Sequence, residues 1–507
     1  MHRSFAPIIA LFVGIVVAIA IGNSIGTGDV SVAAGAIAVL LLALVWFSTR
    51  EIQWAILVAS VFLPGNLPFI PLQFRPYELI AALVFARFVV DQVIIGKTRL
   101  SIGPPVFFAL IIAIFSILFI HGAQMRFGLR ALGSSYWGGR EYLSLLLTLG
   151  IYIAAHSQGL TAKSLRFLPW ILIIFALFNL GVDVTSRFGG TLGYFLGQFY
   201  SGFLPTIDSG EASGRIGAFG QLGYTMAIVV LSSMNLARPL VAKNFLLGIL
   251  LMIAAILSAV SGFRSVILNF ASAVLGASIR DLRWKTIFLA VLGTLALLLL
   301  PFVHSNLQRL PTYVQRAIIF LPGEWDSDVY AQGQDSIEWR QILWKTWAAT
   351  QYPGQELFGR GIGFSSLEFE SRMKGEAYKI EVSAREAEVQ RYILVQELHN
   401  GFLSTIDMVG IIGTCLFGLL CILVIKQIFT VLNPKSPLRN SIGAQSLGLM
   451  IFMFIFGFWY GAERFDRFLV DLMAMFGVLS SVIISTNRSR HSELDTTLNN
   501  PLHLNRA

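Results

Sequence analysis

Residues 399–425 read HNGFLSTIDMVGIIGTCLFGLLCILVI: a histidine, an asparagine and a glycine open an apolar run that few polar side chains interrupt. About 20 apolar residues in a helix cross the ~30 Å hydrocarbon core of a bilayer. A backbone in hydrocarbon must satisfy its own hydrogen bonds, and an apolar run without strict alternation does so as a helix. The run follows the largest polar stretch of the chain, so its histidine stands where an apolar helix meets water. Histidine is the side chain whose unperturbed pKa lies near neutrality, which makes His399 a candidate proton acceptor at that boundary.

The pattern recurs. Apolar runs stand at roughly 7–26, 30–47, 52–70, 77–95, 104–121, 141–156, 167–182, 216–236, 244–261, 265–279, 284–303, 400–425, 442–460 and 467–485. Of 507 residues, 55% are hydrophobic and 13% charged, against roughly 25% charged in soluble domains; mean hydropathy is +0.72. The expectation is an all-α integral membrane protein, a polytopic helical bundle of about fourteen transmembrane helices with one large loop insertion. Residues 1–303 then hold the first eleven helices with an outer loop at 183–215. Residues 304–398 form the large outer loop, 399–486 the last three helices, and 487–507 a polar tail. Ala18-Ile19-Ala20 in the first run resembles a signal-peptidase site, but the apolar stretch is longer than a signal core and reads as an uncleaved anchor.

A net charge of +9 would suggest nucleic acid in a soluble chain. Here most Lys and Arg sit in short connections, where they set orientation, so no nucleic-acid partner is expected. Arg50, Lys97, Lys163, Arg166, Arg280, Lys435, Arg439 and Arg488 fall in alternate connections, which places that side in the cytoplasm and the two outer loops opposite. Cys415 and Cys421 are not on a common helical face, which argues against a metal pair or a disulfide.

Arginines on the outer side are what the orientation rule leaves over: Arg75, Arg126, Arg130, Arg140, Arg187, Arg215, Arg264, Arg464 and Arg467. Inward-running helices begin near Arg75, Arg140, Arg215, Arg264, His399 and Arg467. Free backbone N–H groups at helix amino ends, joined by guanidinium forks, make an anion-seeking surface, and phosphate is its natural guest. The plain alternative is that these arginines touch lipid headgroups or pair with Glu141, Glu211, Glu463 or Asp466. Arg215 lies among glycines in Gly214-Arg215-Ile216-Gly217, and Arg264 in the turn Ser261-Gly262-Phe263-Arg264-Ser265. A cation near hydrocarbon costs ~2.5–3.5 kcal/mol on insertion scales, so arginines kept there face a cavity or an anion. For His399 the plain alternative is an interfacial ring that caps a helix. Its helix amino end opposes protonation, while nearby Glu397 favours it.

His399-Asn400-Gly401-Phe402-Leu403 resembles the His-Asn-x-x-Leu element of the O-antigen ligase and O-antigen polymerase superfamily, GT-C-like membrane glycosyltransferases that use undecaprenyl diphosphate donors. Arg340 with Trp344 and Trp347, then Gly359-Arg360-Gly361-Ile362-Gly363, is similar to the Arg-x-x-x-Trp and Gly-x-Gly portions of that family's outer loop. Gly410-Ile411-Ile412-Gly413 resembles its continuation. Arg215 and Arg264 match the family's pattern of one essential arginine at each of two outer helix ends.

The resemblance implies an inverting, metal-independent transfer without a cofactor. His399, Arg264 and Arg215 would be catalytic and Arg340, Arg360 and Asn400 would bind substrate, joined by Arg75, Arg140 and Arg467 from the reading of the helix amino ends. The partners implied are a lipid-linked glycan donor, a glycan acceptor, a flippase and a chain-length regulator, at the bacterial inner membrane with the site facing the periplasm. The number of runs suits a polymerase better than a ligase, whose acceptor is a lipid core or a protein. The charged segment from Met373 to Gln396 reads as a helix that covers the site or stays solvated. A transporter for an anionic lipid also needs many spans and buried arginines, but the span spacing shows no two-fold repetition. A structural scaffold for export would make no single polar residue matter.

Overall fold

The computed structural model describes residues 42–67, 74–96, 100–129, 132–188, 217–236, 242–282, 307–319, 323–367, 384–461 and 463–498, with residues 40, 190 and 200. The runs at 7–26 and 284–303, most of the run at 30–47, and Arg130 and Arg215 lie outside the described residues.

Among the described residues the α-helices are, in order, α1 Arg50–Ser60, α2 Pro76–Ile95, α3 Pro105–Gln124, α4 Gly139–Gln158, α5 Leu168–Phe188, α6 Gly217–Ser233, α7 Ala242–Val260, α8 Arg264–Leu282, α9 Thr312–Ile318, α10 Ser327–Thr350, α11 Ala384–Leu394, α12 Gly401–Leu432, α13 Ile442–Tyr460 and α14 Phe465–Leu498. The described strands are one pair, β1 Tyr136–Trp137 against β2 Phe364–Ser365, antiparallel with Trp137 opposite Phe364. The all-α membrane reading holds.

Among the described residues five helices are long and apolar enough to cross a membrane, α3, α5, α12, α13 and α14, which shows part of the expected fourteen. The shorter α6 and α7 are also apolar. Helices α2, α4 and α8 have 20, 20 and 19 residues, yet each carries ion-pairing side chains. The run at 52–70 departs furthest. Its helix α1 has 11 residues, about 16 Å at 1.5 Å per residue, half of a crossing. Pro64 follows closely and cannot continue a helical hydrogen-bond ladder.

Helices α13 and α14 form the centre, with 72% and 89% of their apolar windows buried against 39% for α5. Around them α14 packs on α4, α12 on α3 and α13, and α6 on α5, α7 and α8. The outer helices turn apolar stripes outward: Trp170, Ile174, Leu177 and Phe178 on α5, and Phe245, Ile249, Met252 and Ile256 on α7, are exposed. These repeat at helical spacing, as a lipid-facing surface does.

Helix α12 breaks at Gly410, whose φ of 66° and ψ of −172° only glycine adopts freely. The broken ladder frees backbone groups that hydrocarbon cannot satisfy. The segment 356–361 supplies the partners: Arg360 N donates to Asp407 O at 2.8 Å, Gly361 N to Met408 O at 3.0 Å, and the N–H groups of Ile411 and Ile412 donate to Glu356 O and Leu357 O. A buried carboxylate locks the same junction. Asp407 accepts Arg360 Nε on both oxygens at 2.9 and 3.0 Å, Trp347 Nε1 at 2.7 Å and Gln396 Nε2 at 3.3 Å. Removing one partner of a buried ion pair leaves the other charge uncompensated, at about 3–5 kcal/mol. Asp407→Ala is therefore expected to lower unfolding stability in detergent by about that amount; a denaturant or thermal melt indistinguishable from wild type would contradict the brace.

Candidate functional site

Asn400 is the N-cap of α12: its side-chain oxygen accepts the N–H of Leu403 at 3.1 Å. Just before it, Trp344 Nε1 on α10 donates to Leu398 O at 2.8 Å. His399 is thus held from both sides, with φ at 50°, an uncommon conformation for a residue with a Cβ. Its ring packs edge-on to Trp339 of α10 at 5.2 Å and tilts against Tyr392 of α11 at 5.1 Å. Its Nε2 is buried without a hydrogen-bond partner among the described residues. Burial and the neighbouring Arg340 guanidinium hold the His399 pKa below the ordinary 6.5 or so, with Glu397 opposing.

Arg340 links this ring to a second sequence-predicted residue. Its charge also acts on Arg264, where burial and that like charge both disfavour protonation. Arg264, the first residue of α8, is half-buried. It donates from Nε to Arg316 O at 3.2 Å, and its Nη2 lies beside Gly333 on α10. Helix α10 therefore carries Arg340 between the amino ends of α8 and α12. Arg215 lies outside the described residues.

A second cluster gathers at the amino ends of α2, α4 and α14. Phe465 N of α14 donates to Ser404 Oγ of α12 at 2.9 Å, which puts both clusters at the same end of the bundle. Arg75 pairs with Asp471 at 3.4 Å and lies 3.6 Å from Glu78, and Arg140 lies 3.6 Å from the same Glu78. Arg464 pairs with Asp466 at 3.0 Å. Arg467 faces Glu463, Asp466 and Asp471, although its Nε has no hydrogen-bond partner among the described residues. Burial and Asp471 push the Glu463 carboxyl up to about 8. The cavity bounded by Arg75, Arg140 and Arg467 measures about 10 Å³, room for about one water. In this conformation these arginines are occupied by carboxylates of the protein rather than open to a diphosphate.

Several sequence-predicted residues hold the frame. Arg360 is buried: its Nε donates to Asp407, its Nη1 to Gln351 Oε1 at 3.4 Å and its Nη2 to Ile393 O at 2.6 Å. Arg187 pairs with Asp183 within α5. Of the segment from Met373 to Gln396, residues 373–383 lie outside the described residues, and the rest forms α11 packed on α10. Sequence reading overlooked Asp326-Ser327-Asp328, which has the Asp-x-Asp spacing of a metal pair. Asp326 is instead the N-cap of α10, accepting from Asp328 N and Val329 N. Among the described residues no cluster of acids, histidines and cysteines is placed to hold a metal ion. Reading also missed Trp339 and Tyr392. Their signal was weak: an aromatic one position before Arg340, and one seven positions before His399.

A lowered histidine pKa has a signed consequence. Above pH ~6.5 the ring is neutral in both folded and unfolded chains; as pH falls further the unfolded chain binds the proton first, so this contribution to stability is lost on acidification. In labelled protein the His399 ring resonances are expected to titrate below pH 6.5, and titration above that value would contradict the geometry. No family model and no curated protein matches this sequence, so the chemistry open to the cluster rests on its own residues.

Proposed function

We propose that the chain is a membrane glycosyltransferase that lengthens a bacterial surface polysaccharide, moving a glycan from an undecaprenyl diphosphate donor to a hydroxyl of a lipid-linked acceptor. The reading rests on one observation above all: the His399 ring, whose Nε2 has no hydrogen-bond partner among the described residues, packs on Trp339 of α10, and the same helix carries Arg340 and meets Arg264 at Gly333. A neutral ring accepts a proton; adjacent fixed cations attract a phosphorylated leaving group.

The acceptor hydroxyl gives its proton to Nε2 of His399 as its oxygen attacks the anomeric carbon from the face opposite the donor oxygen. A new glycosidic C–O bond forms, the bond to the diphosphate breaks, and the electron pair leaves with the diphosphate, inverting the centre. Arg264 and Arg340 stabilise that anion as a bidentate pair of forks, the role a metal ion would otherwise take. A flippase that delivers the donor and a chain-length regulator are the partners this reading needs, and the outer face of the inner membrane is the site of work. The resemblance of residues 399–403 to the superfamily element supports the same assignment.

Purified protein supplied with a lipid-diphosphate repeat unit is expected to extend chains. His399→Ala should slow extension about 10²–10⁴-fold, as loss of a general base does. Arg264→Ala should slow it about 10²–10³-fold, as loss of one oxyanion partner does. Chain growth undiminished in both variants would sink the mechanism. Lipid crossing the bilayer without chain growth would favour a transporter, and transfer only to an added lipid core would favour a ligase.

A further inference from the structure

The opposite end of the bundle holds a cavity that the transfer reading does not use. It measures about 220 Å³ and lies between the carboxyl ends of α8 and α12, walled by Ile279, Phe429 and Leu432 with Arg280, Asn433 and Pro434. Arg280 is about 24 Å along α8 from Arg264 at 1.5 Å per residue, so this site is remote from His399.

Arg280 is fully buried, its side chain 0% exposed. It donates from Nε and Nη2 to Asp281 at 2.9 and 2.7 Å, and from Nη2 to Met234 O at 2.7 Å. Its Nη1 is buried without a hydrogen-bond partner among the described residues. Asp281 also accepts Arg439 Nη2 at 2.9 Å. One carboxylate serves two guanidinium groups, which leaves an excess positive charge beside the cavity. A buried donor without a partner costs about 1–3 kcal/mol and is relieved by an acceptor brought in from outside.

What could bring that acceptor is written on α12. Leu419, Ile422 and Phe429 are exposed, with Lys426 exposed between the last two. They recur at three- and four-residue spacing, a single face. This stripe runs along the helix to the cavity mouth, where Asn433 is exposed. An apolar track that ends at a cavity lined by Arg280, with Lys426 on the same face, complements an acyl chain that ends at a phosphate.

The geometry points to a binding site for an anionic phospholipid, its headgroup phosphate beside Arg280 and Asn433 and one acyl chain along Phe429, Ile422 and Leu419. Lys426 reaches the headgroup from the same face by snorkelling. The site would tie the packing of α8 against α12 to lipid composition at the end of the bundle where the orienting cations gather.

The test uses the full-length chain in non-ionic detergent, titrated separately with phosphatidylglycerol, phosphatidylcholine and inorganic phosphate, with bound species counted by native mass spectrometry. Phosphatidylglycerol is expected to bind about tenfold more tightly than either other probe. Arg280→Lys removes the planar fork, and Asn433→Glu sets a like charge at the exposed mouth; each should cut the preference to about twofold or less. Should Arg280→Lys fail to fold, Asn433→Glu, at a solvent-facing position, decides alone. Equal binding of the two lipids by wild type, or an unchanged preference in Asn433→Glu, overturns the proposal. Inorganic phosphate binding as tightly as phosphatidylglycerol overturns it in favour of a free anion.

Discussion

The end of the bundle that carries His399 depends on the carboxylate of Asp407, buried within α12. A charge at such depth is costly unless it is paired and hydrogen-bonded. Here three separate chain segments meet that demand: the Arg360 guanidinium, the Trp347 indole of α10 and the Gln396 amide. Because all three must converge, α10, α11 and the segment 356–361 are held against α12 instead of hanging from it. The break at Gly410 is tolerable for the same reason, since segment 356–361 returns the hydrogen bonds that the helix gives up.

The position of His399 follows from that lock. Gln396 is tied to Asp407 and to Gly361, Leu398 to Trp344, and Asn400 to the first turn of α12. Little freedom remains for the residue between them, and a left-handed backbone is the result. The strain, of order 1–3 kcal/mol for such a conformation, is offset by bonds on either side. Desolvation by Trp339 and Tyr392 and the field of Arg340 act together, so the ring is favoured in the form that accepts a proton.

The arginines at this end divide by their partners. Arg75, Arg140 and Arg464 each have a carboxylate within ion-pair reach, and Arg360 is spent on Asp407. Among the described residues Arg264 finds only a carbonyl oxygen, at 3.2 Å, and it carries the charge of Arg340 beside it. Two like charges held together are unfavourable without an anion, whereas an arginine on a carboxylate is already satisfied. That contrast, rather than the number of arginines, separates those spent on the frame from one left able to meet an anion.

The membrane class and the positions of most helices were legible in the sequence, because hydropathy is a property of each segment alone. The runs at 77–95, 104–121 and 442–460 became α2, α3 and α13 within a few residues. His399 just before a helix start and Arg264 at a helix end were legible on the same grounds. What only the tertiary structure decided is which charges meet: Arg75 finds Asp471 after 396 positions, and Arg360 finds Asp407 after 47. It also decided that Asn400 caps, that Asp326 caps and that the run at 52–70 stops at Ser60. Composition and periodicity report what a segment prefers in lipid or water. Pairing depends on distance in the packed chain, and no local pattern encodes that distance.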